Sequence, residues 1–144
     1  MSDASAIVRR FWVDVWTNKD VDAVAELFHP AAVENGEPVD IEGFQAAVAF
    51  YARTFPDFSA TVEELIPISE DRVLSRVTFR GTHQGTWAGL PATDRAFTTI
   101  GIDIFRIRDG QIVELWHATD HLEVATQLGA KLVLREDVRA SASA

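Results

Sequence analysis

The hydrophobic period of this chain changes near Ser59. Before that point apolar residues recur at helical spacing, and after it they alternate. Val8, Phe11, Trp12, Val15 and Trp16 predict a helix over residues 5–17, with Ser2 or Asp3 as its N-cap. After TNKD, Asp20 caps a short second helix carrying Val21, Val24, Leu27 and Phe28. His29-Pro30 ends it, because a residue before proline avoids the α region. AAVEN, residues 31–35, predicts a short strand, and GEP a turn. Phe44, Ala47, Val48, Tyr51 and Phe55 form the stripe of a third helix from Glu42 to Thr54, closed by Pro56. Strands are then expected at 60–68, 72–80, 95–106 and 111–117, with a short amphipathic segment over 120–129. The tail, residues 131–144, is expected to be mobile. Helices first and a strand meander second predict an α+β fold, with helices packed on one face of a mostly antiparallel sheet. A curved sheet covered this way leaves a cone-shaped cavity, and small-domain ligand sites are concave and apolar.

The 144 residues, 47% of them hydrophobic, suffice for one domain with a sizeable core. A net charge of -9 argues against binding nucleic acid or an anionic membrane. With no cysteine there is no disulfide, thiolate metal site or cysteine nucleophile. MSDASAIVRRFW holds no apolar run of signal-peptide or membrane-span length, so a cytoplasmic protein is the expectation.

The stretch GIDIFRIRDGQIVELWHATD, residues 101–120, reads as a β-hairpin with ionisable groups among buried-looking residues. Aspartate is disfavoured in strands, and a lone buried carboxylate is costly. The turn decides what Asp103 meets. A two-residue Asp109-Gly110 turn pairs Asp103 with Trp116 and leaves His117 on the other face. A three-residue Arg108-Asp109-Gly110 loop opposes Asp103 to Leu115, with His117 its diagonal neighbour on the same face, within about 7–8 Å. In that register one face holds Thr99, Gly101, Asp103, Phe105, Val113, Leu115 and His117. The other holds Ile100, Ile102, Ile104, Ile112 and Trp116, with Glu114, and is apolar enough to suggest a second subunit.

The runs FPDFSATVEELI and GTHQGTWAGLPATDRAFTTIGIDIFRIRDGQIVELWHATDHLEVATQLG resemble the SnoaL-like polyketide cyclases, within the NTF2-like and ketosteroid-isomerase-like superfamily. IVRRFW and DVDAVAELFHP resemble them too, so the likeness spans about residues 7 to 129. The most specific part is GTHxGxxxGLPxT followed by DGxIxExW. The resemblance implies a cone-like α+β barrel, a homodimer, and neither metal nor organic cofactor. It also favours the register that brings Asp103 and His117 to one face. In the aldol cyclases of the family an aspartate acid/base projects from the last strand and a histidine from the strand before it. Here those positions hold His117 and Asp103, so the two residue types are exchanged. A third family position, an asparagine on the first strand, falls on Glu34, next to Asn35.

Asp103 and His117 are therefore the first candidates for moving a proton or polarising a carbonyl. The plainer alternatives are an Asp103 bonded to a backbone amide or an arginine, and a His117 satisfied beneath the C-terminal segment. Glu34 is a candidate third catalytic group, although a five-residue strand does not fix its face. Asp120 either completes a triad or caps the last helix, where aspartate is favoured. His83 belongs to loop structure or touches substrate, and no accompanying ligand spacing makes it a metal site. Trp16, Tyr51, Phe55, Phe58 and Trp87 are either core or cavity wall. Tyr51 offers a hydroxyl to a substrate carbonyl, and Trp87 follows a Gly-rich loop placed to cover the mouth. His29 belongs to a helix stop, and His121 is expected to be exposed. No G-x-S-x-G, P-loop, G-x-G-x-x-G or HExxH motif is present. The function these readings favour is a cofactor-independent cyclase that closes a carbon ring on a polyketide-derived intermediate, by aldol-type or pericyclic [4+2] closure. The alternatives are an epoxide hydrolase or hydroxylase on the same scaffold, and a non-catalytic binding or dimerisation module.

Overall fold

The computed structural model describes residues 3–143, so Ser2, one of the two expected N-caps, lies outside them. The first helix begins as α1, Asp3–Arg10, and continues as a π-helical segment, Phe11–Thr17. The i, i+4 pairs Phe11/Val15 and Trp12/Trp16 suit either winding, so their spacing alone does not reveal the wider turn. Asp20 Oδ1 accepts from the backbone N–H of Asp22 and Ala23, at the start of α2, Asp22–Leu27.

Strand β1, Phe28–Glu34, starts three residues earlier than expected and runs straight through His29-Pro30. Proline is compatible with the extended region even though it ends a helix. Asn35 and Gly36, at φ 50° and 85°, turn the chain into a two-residue strand β2, Glu37–Pro38, where only a turn was expected. Helix α3, Ile41–Thr54, is followed by β3, Ser59–Pro67; β4, Arg72–Thr82; β5, Ala96–Arg108; and β6, Gln111–Thr119. Two short helices, α4 over His121–Gln127 and α5 over Glu136–Ser143, follow; the second lies in the tail.

One curved six-stranded sheet has the order β2-β1-β6-β5-β4-β3. Every pairing is antiparallel except β1 with β6, and the sheet stays open with β2 and β3 as edges. The helices close over its inner face. Phe11, Val15, Leu27, Phe28, Phe105 and Ile112 are each at most 1% exposed there. No helix among the described residues is long and apolar enough to cross a membrane.

The β5–β6 hairpin resolves its register in a third way. Its turn is the two-residue Asp109-Gly110, at φ 50° and 75°, with Arg108 opposite Gln111 and Ile107 opposite Ile112. Beyond Ile107 the phase slips by one, because Arg106 faces Glu114 and Val113 is the extra residue of a β-bulge. Asp103 therefore lies directly opposite His117, neither opposite Leu115 nor on the other face. The bulge also corrects the expected face of Ile112. It turns inward and is fully buried, as Leu115 is, three residues on.

Candidate active site

Between the inner face of the sheet and the helices lies a cavity of about 280 Å³. Its helix wall is aromatic and includes Trp12, Trp16, Phe44 and Tyr51. Its sheet wall carries the polar groups: Glu34 from β1, Thr99 and Asp103 from β5, and His117 and Thr119 from β6. The volume is near the lower end for small-molecule sites, and the mixture of many apolar and few polar groups is typical of them.

Asp103 is fully buried, and its Oδ1 lies 2.5 Å from His117 Nδ1. A carboxylate can only accept, so Nδ1 donates, leaving Nε2 as the ring nitrogen available to the cavity. His117 is held on its other side too, since its backbone N–H donates to Asn35 Oδ1 at 2.9 Å. Burial alone would lower the His117 pKa, but the hydrogen bond and charge of Asp103, helped by Glu34, raise it above the ordinary value. Burial pushes the Asp103 carboxyl up, against the pull of His117. In this coupled pair the histidine holds the proton. Deprotonating His117 would strand a buried carboxylate with no counter-charge. Glu34 is also raised, first by burial, with His117 opposing and Asp103 adding to the shift. Three coupled ionisable groups thus face one apolar cavity.

Other expected site residues divide. Trp16, Tyr51, Phe55 and Trp87 line the cavity, and Trp87 Nε1 donates to the Tyr51 hydroxyl at 3.4 Å. His83 does not line it. The ring is fully buried, bonded through Nδ1 to Thr93 Oγ1 at 2.9 Å and packed on Phe55, and its backbone ties down the loop at Asp94 and Arg95. Asp120 does not line it either. Its Oδ1 accepts from Glu123 N–H at 2.9 Å, capping α4. Thr99, on the face expected for Asp103, reaches the cavity, and so do Thr119 and His121, which the sequence did not single out as site residues. Thr99 shares strand parity with Asp103 and was readable from alternation. Thr119 follows His117 by two residues in the same way. His121 is exposed as expected, yet it sits at the cavity rim with its ring 6.2 Å from that of Trp87. Among the described residues no three His, Asp or Glu side chains come together as metal ligands would.

The chain is 35% identical over 137 residues to aklanonic acid methyl ester cyclase DnrD of Streptomyces peucetius, covering 90% of this chain and 92% of that one. It is 28% identical over 122 residues to nogalonic acid methyl ester cyclase of Streptomyces nogalater, covering 81% and 91%. Among solved structures, IdmH of Streptomyces antibioticus, a candidate polyketide cyclase, superposes with a TM-score of 0.77 at 31% identity, covering 88% of this chain and 99% of that one. The family model described as SnoaL-like polyketide cyclase matches residues 6–128, and the chain belongs to that family.

Proposed function

We propose that this cyclase closes a carbon ring on a neutral polyketide-derived ester by an intramolecular aldol reaction, as a step in antibiotic biosynthesis. The observation that carries the reading is the His117–Asp103 pair, with its free Nε2 facing a cavity that Glu34 also lines. Glu34, made more basic by burial, removes a proton from the carbon activated by the ester and a neighbouring carbonyl. The resulting enolate carbon attacks the ketone carbon and forms the C–C bond. The ketone oxygen takes its proton from His117 Nε2, which the buried Asp103 keeps charged and oriented. Nothing is gained or lost overall, so substrate and product are isomers, and solvent exchange resets the two proton carriers. Asp103 acts through His117 and is a positioning residue. The aromatic walls hold the chain folded, which removes entropy from the barrier.

The inward face of Glu34 also favours a second reading, an epoxide-opening hydrolase in which two carboxylates activate water. Turnover of aklanonic acid methyl ester, the compound in the relative's name, in ¹⁸O-labelled water separates the two. Ring closure is expected to give an isomer with no ¹⁸O in its new hydroxyl; a hydrolase would instead leave that ester unclosed and open an epoxide-bearing analogue to a diol heavier by one labelled water. Wild-type closure rates in both Glu34→Gln and His117→Gln would leave only a shape-driven, pericyclic closure. We also read the outer sheet face, where Ile100, Ile102 and Trp116 are exposed, as the surface that docks a second copy. Gel filtration at twice the monomer mass is the expected result.

A further inference from the structure

Strand β1 ends at Glu34, which is paired with Leu115 of the parallel strand β6. β6 runs on to Thr119, and no residue of β1 accompanies it past Leu115. Its backbone groups on that side, Leu115 O and His117 N–H, would face an open edge and be left to water. Asn35 meets both. Its backbone N–H donates to Leu115 O at 2.9 Å, and its side-chain Oδ1 accepts from His117 N–H at 2.9 Å. The side chain thus continues the ladder where the main chain turns away into Gly36.

The residue type fits that task. Position 35 has φ 50°, in the left-handed region where asparagine is among the few side chains at home. Its amide oxygen is neutral, so it adds no charge beside Glu34 and Asp103. The side chain is exposed and is not among those that line the cavity, so it neither fills the core nor touches a ligand. What it joins are the strands that carry two of the ionisable groups. Glu34 and His117 are diagonal neighbours across β1 and β6, about 8 Å apart at Cα by strand spacing. Asp103 holds the His117 ring from β5, but Glu34 feels both of them through charge alone.

We propose that Asn35 is a positioning residue of this site: its side chain stands in for a missing next residue of β1 and fixes how far Glu34 lies from His117. The distance between the group that takes a proton and the group that gives one is thereby set from outside the cavity. The proposal rests on the reading of Glu34 and His117 as base and acid, but the placement itself is measured without turnover, so it and the aldol mechanism can fail separately.

The test is a double-mutant cycle on the His117 titration, followed by NMR without substrate. Glu34→Gln removes a charge that raises the His117 pKa, so it is expected to lower that pKa. Asn35→Gly keeps the left-handed turn and deletes only the side chain. In that background Glu34→Gln is expected to lower the pKa about half as far, or less. Asn35→Asp restores an acceptor and is expected to restore the full shift. With aklanonic acid methyl ester, Asn35→Gly is expected to lose about 3- to 10-fold in kcat, the worth of one hydrogen bond, with KM unchanged. An equal Glu34→Gln shift in both backgrounds, or a shift that Asn35→Asp leaves reduced, overturns the proposal, whatever happens to kcat. A reduced shift with wild-type kcat supports the placement and counts against the aldol mechanism instead. Should Asn35→Gly not fold, an ester in place of the 116–117 peptide bond removes the same N–H, leaves Asn35 intact and carries the same expectations.

Discussion

Replacing Asp103 by asparagine probes the centre of the site with almost no change of shape. Asp103 is fully buried, and the bond from its Oδ1 to His117 Nδ1 is 2.5 Å. The substitution removes the negative charge that raises the His117 pKa, leaving burial, which lowers it, opposed only by the charge of Glu34. His117 should therefore titrate at lower pH in Asp103→Asn than in the wild type. A charge-assisted hydrogen bond is worth about 1.5–3 kcal/mol. If that is lost from the orientation and charge of the general acid, kcat/KM falls about 10- to 100-fold. The pH profile of kcat/KM, measured with aklanonic acid methyl ester, reads the cause directly. Its alkaline limb reports loss of the His117 proton and should move to lower pH; the acid limb, set by Glu34, should move the same way but by less, because the Asp103 charge is the smallest of the contributions acting on that group. Stability gives a second readout of the same bond. Folding raises the His117 pKa, so the folded state binds that proton more tightly than the unfolded chain. The stabilisation is complete below the unfolded value of about 6.5 and is lost as pH rises through the raised folded value. The raised pKa of Asp103 acts in the same sense, since it too makes the folded state hold a proton longer. Wild-type thermal midpoints should thus fall as pH rises through and above neutrality, and Asp103→Asn should flatten that fall. An unchanged His117 NMR titration in Asp103→Asn, or an alkaline limb that moves upward, refutes the pairing as the source of the histidine's charge.

Glu34→Gln should lower kcat by about 10²- to 10⁴-fold and abolish the acid limb of the same profile, with little change in ligand affinity. Asp120→Ala should cost about 0.5–2 kcal/mol in denaturant unfolding, the worth of an N-cap, while leaving kcat unchanged; a kcat loss instead would return Asp120 to the site. A methyl group at Gly101 would sit 2.5 Å from Phe79 Cε2 and 3.1 Å from Val77 Cγ2, and Phe79 lines the cavity. Gly101→Ala should therefore destabilise by about 1–3 kcal/mol, as overpacking does, and weaken ligand binding through the displaced ring.

The sequence by itself settled the class of the fold, because periods of 3.6 and 2 are written in the spacing of apolar residues and need no tertiary partner to be read. Helix α3 lies where its helical stripe placed it and the four long strands lie close to where they were expected, and Asp20 and Asp120 cap helices through their own short side chains. The cavity face of Asp103 was legible too, as an acid at an inward parity position among isoleucines. What the tertiary structure decided is the phase of the hairpin. Asp109-Gly110 is the tight turn its residues favour, yet Val113 bulges out, because Ile112 and Leu115 both enter the core at an odd spacing that a regular strand would send to opposite faces. That spacing was visible, but whether a turn or a bulge would absorb the extra residue depends on the packing of Phe105 and the helices across the cavity. The same holds for His83. Its ring is an ionisable group in a Gly-rich stretch, and only the fold of the 83–95 loop shows it turned into the wall behind Phe55, away from the cavity. Local chemistry chose the elements; long-range packing, which no short window of residues contains, chose which of their side chains meet.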